Sequence, residues 1–307
     1  MSKVSISPYS DDSWGNCLKM TNGIIELLVT VDFGPRIIHL SRLCKENMMY
    51  QDFSRGTIGE KQKEYSDQLR LYGGHRLWIS PEVMPRCYYP DNAPVEWSAA
   101  DNAAKFTAPV EVFNNIQKII EITMIENEPA VQVEHIVKNV GAWDIEFAHW
   151  CITVLDKGGK EIIPMPKRPT GYLANRNISL WDYSEMNDER VYWGKDYITL
   201  TQNPGKANPF KLGLNNEDGW AAYFNKGQVF IKYFDPIIDG YYPDNGCSFE
   251  SYTNSVMLEC ETLSEFTHLE PGEESGFTEE WELYEADKIP SNDEKEIAGI
   301  INQYVSV

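Results

Sequence analysis

The chain has 307 residues, 42% hydrophobic and 12% aromatic, which places it among globular proteins rather than disordered ones. Its 27 Lys and Arg against 47 Asp and Glu give a formal charge of −20. Such a chain repels nucleic-acid phosphates and anionic membrane surfaces, so a neutral or weakly charged small molecule suits it better.

The start, MSKVSISPYSDD, has no apolar core of signal-peptide length, and no apolar run approaches the ~18 residues of a membrane span. The expected location is cytoplasmic. Cys17, Cys44, Cys87, Cys151, Cys247 and Cys260 are scattered without a C-x-x-C pair. A chain this long builds a core without staples, so these are expected to be reduced thiols, and a cysteine-based metal site has no support.

Strand patterns follow one another along the chain. GIIELLVTVDFGPRIIHLSRL reads as a hairpin broken at Asp32-Phe33-Gly34-Pro35. NNIQKIIEITMIENEPAVQVEHIVKNVGAWDIEFAHWCITVL reads as three consecutive strands with turns at Asn127-Glu128-Pro129 and Asn139-Val140-Gly141. The segment from Pro164 to Asn208, rich in proline and asparagine, predicts long loops with short strands. WAAYFNKGQVFIKYF, NSVMLECETLSEFTHL and SGFTEEWELYEA are again strand-like. Helical spacing is confined to SNDEKEIAGIINQYV, where Ser291 is placed to cap a short helix with acids in its first turn. No linker or repeat divides the chain. The expectation is an all-β protein: a large antiparallel β-supersandwich in a single domain, 1–307, with a short C-terminal helix.

The stretch LYGGHRLWISPEVMPR stands apart, because Gly73-Gly74 run straight into His75, Arg76 and Trp78. Glycine permits positive φ and a close approach of the backbone to a ligand, so these side chains are candidates to face a bound molecule. A tight turn with its polar residues in water is the plainer alternative.

Four segments together resemble the galactose mutarotase-like, or aldose 1-epimerase-like, supersandwich. They are IELLVTVDFGPRIIHL, YGGHRLWISPE, IVKNVGAWDIEFAHWCITVL and the pair SVMLECETL and LEPGE. The third is similar to the strand that supplies the family's catalytic histidine, and the fourth to the strand that supplies its catalytic glutamate. Ala148 stands where galactose mutarotases have Asn, which points to a divergent branch. Fold alone does not establish activity.

The resemblance implies a cofactor-independent isomerase acting on a free sugar or simple derivative. A base takes the anomeric proton while an acid protonates the ring oxygen, and neither metal nor redox cofactor is needed. His149 is implied as the acid. The base is Glu261 or Glu259, with Glu261 taken first, because MLECETL matches the family's run in two ways. These two share one strand face, and so do Phe147, His149 and Cys151 on theirs, opposite Ala148, Trp150 and Ile152.

Arg76 and His75 are expected to position substrate, and Trp78 or Trp150 to stack on a pyranose. His135, in phase with Val131, Val133 and Val137, is costly there unless paired, which makes it a further substrate-side candidate. A hydrogen-bonded core histidine is the bland reading of both His135 and His149. FDPIIDGYYPDNGCSFESYTN adds Asp239, Tyr241, Tyr242, Asp244, Asn245 and Glu250, a composition suited to sugar hydroxyls and equally to a surface loop. From it Asp239 and Tyr242 are taken as substrate-binding, and Lys232 is read as solvated. The rival reading is a noncatalytic carbohydrate-binding protein. A glycoside hydrolase or lyase comes third, since such enzymes often add a helical domain for which this chain has no room.

Overall fold

The computed structural model describes residues 4–58, 65 and 67–305. Among them two antiparallel sheets face one another, one of eleven strands and one of ten. The central part of the first sheet runs Ile37–Arg42, Gly74–Ser80, Ile145–Asp156, Met257–Leu263, Phe249–Thr253, Phe210–Leu214. The second centres on Lys160–Pro164, Trp220–Asn225, Gln228–Phe234, Glu274–Glu285, Ala130–Asn139 and Ile116–Met124. Alternation sends Leu40, Phe147, Leu155 and Leu258 of the first sheet against Ile120, Val131, Val133, Phe230 and Trp281 of the second, and this is the main core.

The all-β reading and the 25–42 hairpin agree with this architecture. Strands adjacent in the chain are not always adjacent in a sheet. Ala130–Asn139 and Ile145–Asp156 are consecutive in the chain yet lie in different sheets, the latter pairing with Gly74–Ser80 and Met257–Leu263. The C-terminal helix, Glu294–Ile301, is capped by Asp293, whose carboxylate accepts from the Glu296 amide, and not by Ser291. Its Ile297 and Ile301 pack on Phe224, Val229 and Ile231, on the outer side of the second sheet.

Gly73 and Gly74 have φ of 80° and 67°. A Cβ at Gly73 would lie 2.2 Å from the Tyr50 carbonyl oxygen, and one at Gly74 2.5 Å from that of Ile37. The glycines therefore let this strand enter the sheet against neighbouring backbone, a different purpose from the ligand approach expected of them.

The inner faces meet along a polar seam. Lys232 and Glu279, both fully buried, pair at 2.9 Å. Lys232 Nζ also donates to the carbonyls of Cys151 (3.2 Å) and Cys260 (3.1 Å) on the first sheet. Glu279 accepts from Trp281 Nε1 at 2.7 Å and from the Thr262 hydroxyl. Lys232 is thus a core residue, not a solvated one.

All three candidate histidines lie in this seam. His135 Nδ1 is 2.9 Å from the Phe277 carbonyl, which only accepts, so Nδ1 carries the proton and Nε2 is bare. His75 Nε2, 2.6 Å away, then donates to it, and His75 Nδ1 accepts from the Thr153 hydroxyl at 2.9 Å. His149 Nε2 donates across the same gap to the Ser275 carbonyl at 3.1 Å. Burial lowers the pKa of all three, His75 most clearly and His149 to about 4.

Two measurements follow from this packing. Gly74→Ala should lower the unfolding free energy by about 2 kcal/mol or more, from the left-handed φ plus the clash with Ile37, as read by urea titration. His149 has a folded pKa below the usual 6.5, so the unfolded chain takes its proton first as pH falls. Its contribution is complete above pH 6.5 and is lost on the way down to about pH 4, amounting to roughly 3 kcal/mol. Urea unfolding of wild type and His149→Phe between pH 7.5 and 4 should show a shallower loss in the variant. Equal slopes would mean that His149 accepts a proton in the folded state.

Candidate functional site on the outer face of the first sheet

Residues alternate along each strand, so the side of the first sheet turned away from the seam carries a separate set. The cross-strand register builds two rows there. One runs Arg76, Ile152, Glu261, Glu250, and the next Gly74, Val154, Glu259, Tyr252, Lys211. Trp78 and Trp150 lie opposite one another just beyond the first row.

Lys211 is the hub. Its ammonium lies 2.7 Å from Glu250 Oε2 and 3.0 Å from Glu261 Oε2, between the rings of Trp150 (4.7 Å) and Trp181 (4.6 Å). Trp150 Nε1 donates to Glu261 Oε2 at 2.6 Å. Arg76 pairs with Glu259 at 3.3 Å and lies 4.5 Å above the Trp78 ring, which meets Trp150 edge-on at 5.4 Å. Gly213, next in line beyond Glu250, leaves room for the side chains of Cys247 and Glu250: a Cβ there would come within 2.7 Å of Cys247 Sγ and 3.2 Å of Glu250 Cγ.

One ammonium serves two buried carboxyls. Burial raises both, and Lys211 only partly offsets it, leaving Glu250 well above the usual range and Glu261 at about 7. Burial works against the Lys211 charge too, but Glu250 and Glu261 outweigh it and hold its pKa well above the ordinary value. Glu250 Oε1 and Glu261 Oε1 are buried and accept no hydrogen bond among the described residues.

Five of the ten expected site residues meet on this face: Arg76, Trp78, Trp150, Glu259 and Glu261. His75, His135 and His149 point into the seam on the other side of the same sheet, so a His149–glutamate pair across one cleft does not form. Asp239 is exposed and bound to Arg168 at 2.8 Å, and Tyr242 is buried in its own turn, its hydroxyl accepting from the Ile237 amide at 2.7 Å. Neither touches the Lys211 group. Sequence reasoning missed Lys211, Trp181 and Tyr252, and noted Glu250 only as part of a polar segment. The available signal was NPFKLGL, a lone lysine inside a buried strand.

Beside Arg76 and Trp78 lies a pocket of about 260 Å³, also lined by Tyr89, Asp91, Glu111 and Lys118. Arg76 thus borders both the pocket and the carboxylate rows. Asp91 Oδ2 is held by Arg36 at 2.7 Å, and Lys118 by Glu111 at 2.7 Å.

Metal-ligating donors converge elsewhere, in the seam, where atoms of His75, His135 and Glu279 lie within 4.8 Å of one another. These atoms are already committed to one another, to Trp281 and to the Lys232 ammonium, which would repel a cation. The group reads as a structural network.

No protein-family model matches the chain, and no curated protein matches its sequence. Solved structures do match. A candidate aldose 1-epimerase from Klebsiella pneumoniae is 12% identical with a TM-score of 0.61, over 94% of this chain and 82% of that one. A TPR-domain containing protein from Parabacteroides distasonis has the same identity and TM-score, and this chain spans 55% of its length while 94% of this chain is covered. A galactose mutarotase-like protein from Lactobacillus casei is 11% identical with a TM-score of 0.51, over 91% of this chain and all of that one. The chain has the galactose mutarotase-like fold.

Proposed function

We propose that the protein is an acid–base catalyst of the aldose 1-epimerase kind acting on a sugar, with its proton transfers carried by Glu250 and Glu261 rather than by a histidine. The observation that supports this reading is the single Lys211 ammonium held between two buried carboxyls, at 2.7 Å from Glu250 and 3.0 Å from Glu261, both of which burial pushes up in pKa. Glu250 holds the proton and gives it to the ring oxygen as Glu261 takes the proton of the anomeric hydroxyl. The bond from C1 to the ring oxygen breaks, and an open-chain aldehyde forms. After rotation at C1, the freed hydroxyl attacks either face of the carbonyl. Glu250 then takes that hydroxyl's proton while Glu261 returns one to the anomeric oxygen, and both carboxyls are restored.

The Oε1 atoms of Glu250 and Glu261, which no described residue hydrogen-bonds, are assigned the two contacts of this scheme; both are buried, so a sugar reaches them only where the side chains above them give way. Trp78 and Trp150 offer apolar faces to C–H patches of the sugar. A second reading, a noncatalytic carbohydrate-binding protein, draws on the complete burial of Glu261 beneath its lysine and indole partners.

Polarimetry of freshly dissolved α-glucose and α-galactose separates the two. Catalysis predicts faster equilibration, lost by roughly 10²–10⁴-fold in Glu261→Gln and retained in His149→Phe. The rate should fall as pH drops below about 7, where Glu261 becomes protonated. Loss in His149→Phe with activity kept in Glu261→Gln would sink the carboxylate scheme. No acceleration with any sugar would favour the binding reading.

A further inference from the structure

We propose that the segment Trp181–Asn187 is a gate over the carboxyl pair, opening as the Trp181 ring lifts off Lys211 while both sheets stay folded. The segment runs from the edge strand of the first sheet, Ile178–Leu180, toward that of the second, Val191–Trp193. Both ends are fixed. Ile178–Leu180 pairs with Leu212–Leu214. On the far side Asp188 holds the Arg190 guanidinium at 2.7 and 3.0 Å, and Val191–Trp193 pairs with Ile198–Leu200. Between these anchors the chain makes two turns. The Ser184 amide donates to the Trp181 carbonyl at 2.9 Å, and the Asp188 amide to that of Glu185 at 3.0 Å.

Little holds the middle down. Continued register would set the Trp181 backbone opposite Lys211, but the strand ends at Leu180. The Ser184 hydroxyl takes the vacated ladder position, accepting from the Lys211 amide at 2.8 Å and donating to its carbonyl at 2.7 Å. Among the described residues these are the only hydrogen bonds from Trp181–Asn187 to the first sheet. The other contacts are rings: Trp181 at 4.6 Å from the Lys211 ammonium, and Tyr183 edge-on to Tyr252 at 6.5 Å. Asp182, Tyr183, Glu185, Met186 and Asn187 are exposed. A segment with so few buried contacts opens at a lower cost than the sheet beneath it. Beneath it, Lys211, Glu250 and Glu261 are 4%, 1% and 0% exposed, although they lie on the side turned away from the core. The gate rests on the catalytic reading only for what enters: there, its opening admits the sugar to the carboxyls.

Amide hydrogen exchange, followed by NMR on the full chain, reads the gate because the Lys211 amide is freed when Ser184 lets go. Gly213, in the same strand and opposite Ser179, is the internal reference for fraying of the sheet edge. The Lys211 amide should exchange at least tenfold faster than that of Gly213. Low concentrations of urea should barely change its rate, since a local opening exposes little surface. Trp181→Ala should raise the Lys211 to Gly213 rate ratio about tenfold further, while Trp181→Phe, which keeps a ring over the ammonium, should stay within about threefold of wild type. Should the Ala variant not fold, wild type and Trp181→Phe decide. Equal rates for Lys211 and Gly213, exchange of Lys211 only with global unfolding, or a ratio indifferent to Trp181→Ala would each overturn the proposal. Polarimetry plays no part in this readout. A protein that speeds no sugar's equilibration can still show the gate, and an active one can lack it, so the two failures are told apart.

Discussion

The buried ion pair of Lys232 and Glu279 is the constraint on which the rest of the molecule depends. Taking two charges out of water costs several kcal/mol per ion, and a pair alone seldom recovers it. Here the remaining capacity is met by two carbonyls, an indole and a hydroxyl. Both carbonyls, and the hydroxyl, belong to Ile145–Asp156 and Met257–Leu263. Those strands carry Trp150, Glu259 and Glu261 on their opposite side. The seam that locks the sheets together therefore also sets the register of the outer-face rows, and the two polar groups share one wall.

That wall has polar residues buried on both sides. Toward the seam stand its His75 and His149, with His135 facing them from the second sheet; burial lowers the pKa of all three, and hydrogen bonds determine which nitrogen holds the proton. Toward the outside, Lys211 keeps its charge because two carboxyls surround it. The same desolvation gives opposite outcomes because the partners differ: carbonyls and a hydroxyl on one side, carboxyls on the other.

Much of this was legible in the sequence. Alternating apolar positions and Asn, Pro and Gly turns are local signals, so the all-β class and most strands could be read directly. Arg76, Trp78, Trp150, Glu259 and Glu261 were singled out through resemblance and period-two spacing, but as one site with His75, His135 and His149, which face the seam. Spacing also carried a warning. His75 and Arg76, like His149 and Trp150, are chain neighbours, so no single face could hold both members of either pair. Choosing the right member requires knowing which side meets the other sheet, and that is set by long-range register. Lys211 escaped notice because its carboxylate partners lie 39 or more positions away, so the lone lysine of NPFKLGL does not by itself reveal what it pairs with.

The strand Gly74–Ser80 shows what this arrangement means for change over evolutionary time. Deleting or inserting one residue within it would exchange inside for outside, moving an imidazole into the place of the guanidinium and the guanidinium into the core. Substitutions can be sampled one side at a time, but the strand's length cannot drift. Variation in length is left to the loops at the rim, and those loops supply Tyr89, Asp91 and Trp181. The lineage can reshape what surrounds the sheet while the spacing of the sheet itself stays frozen.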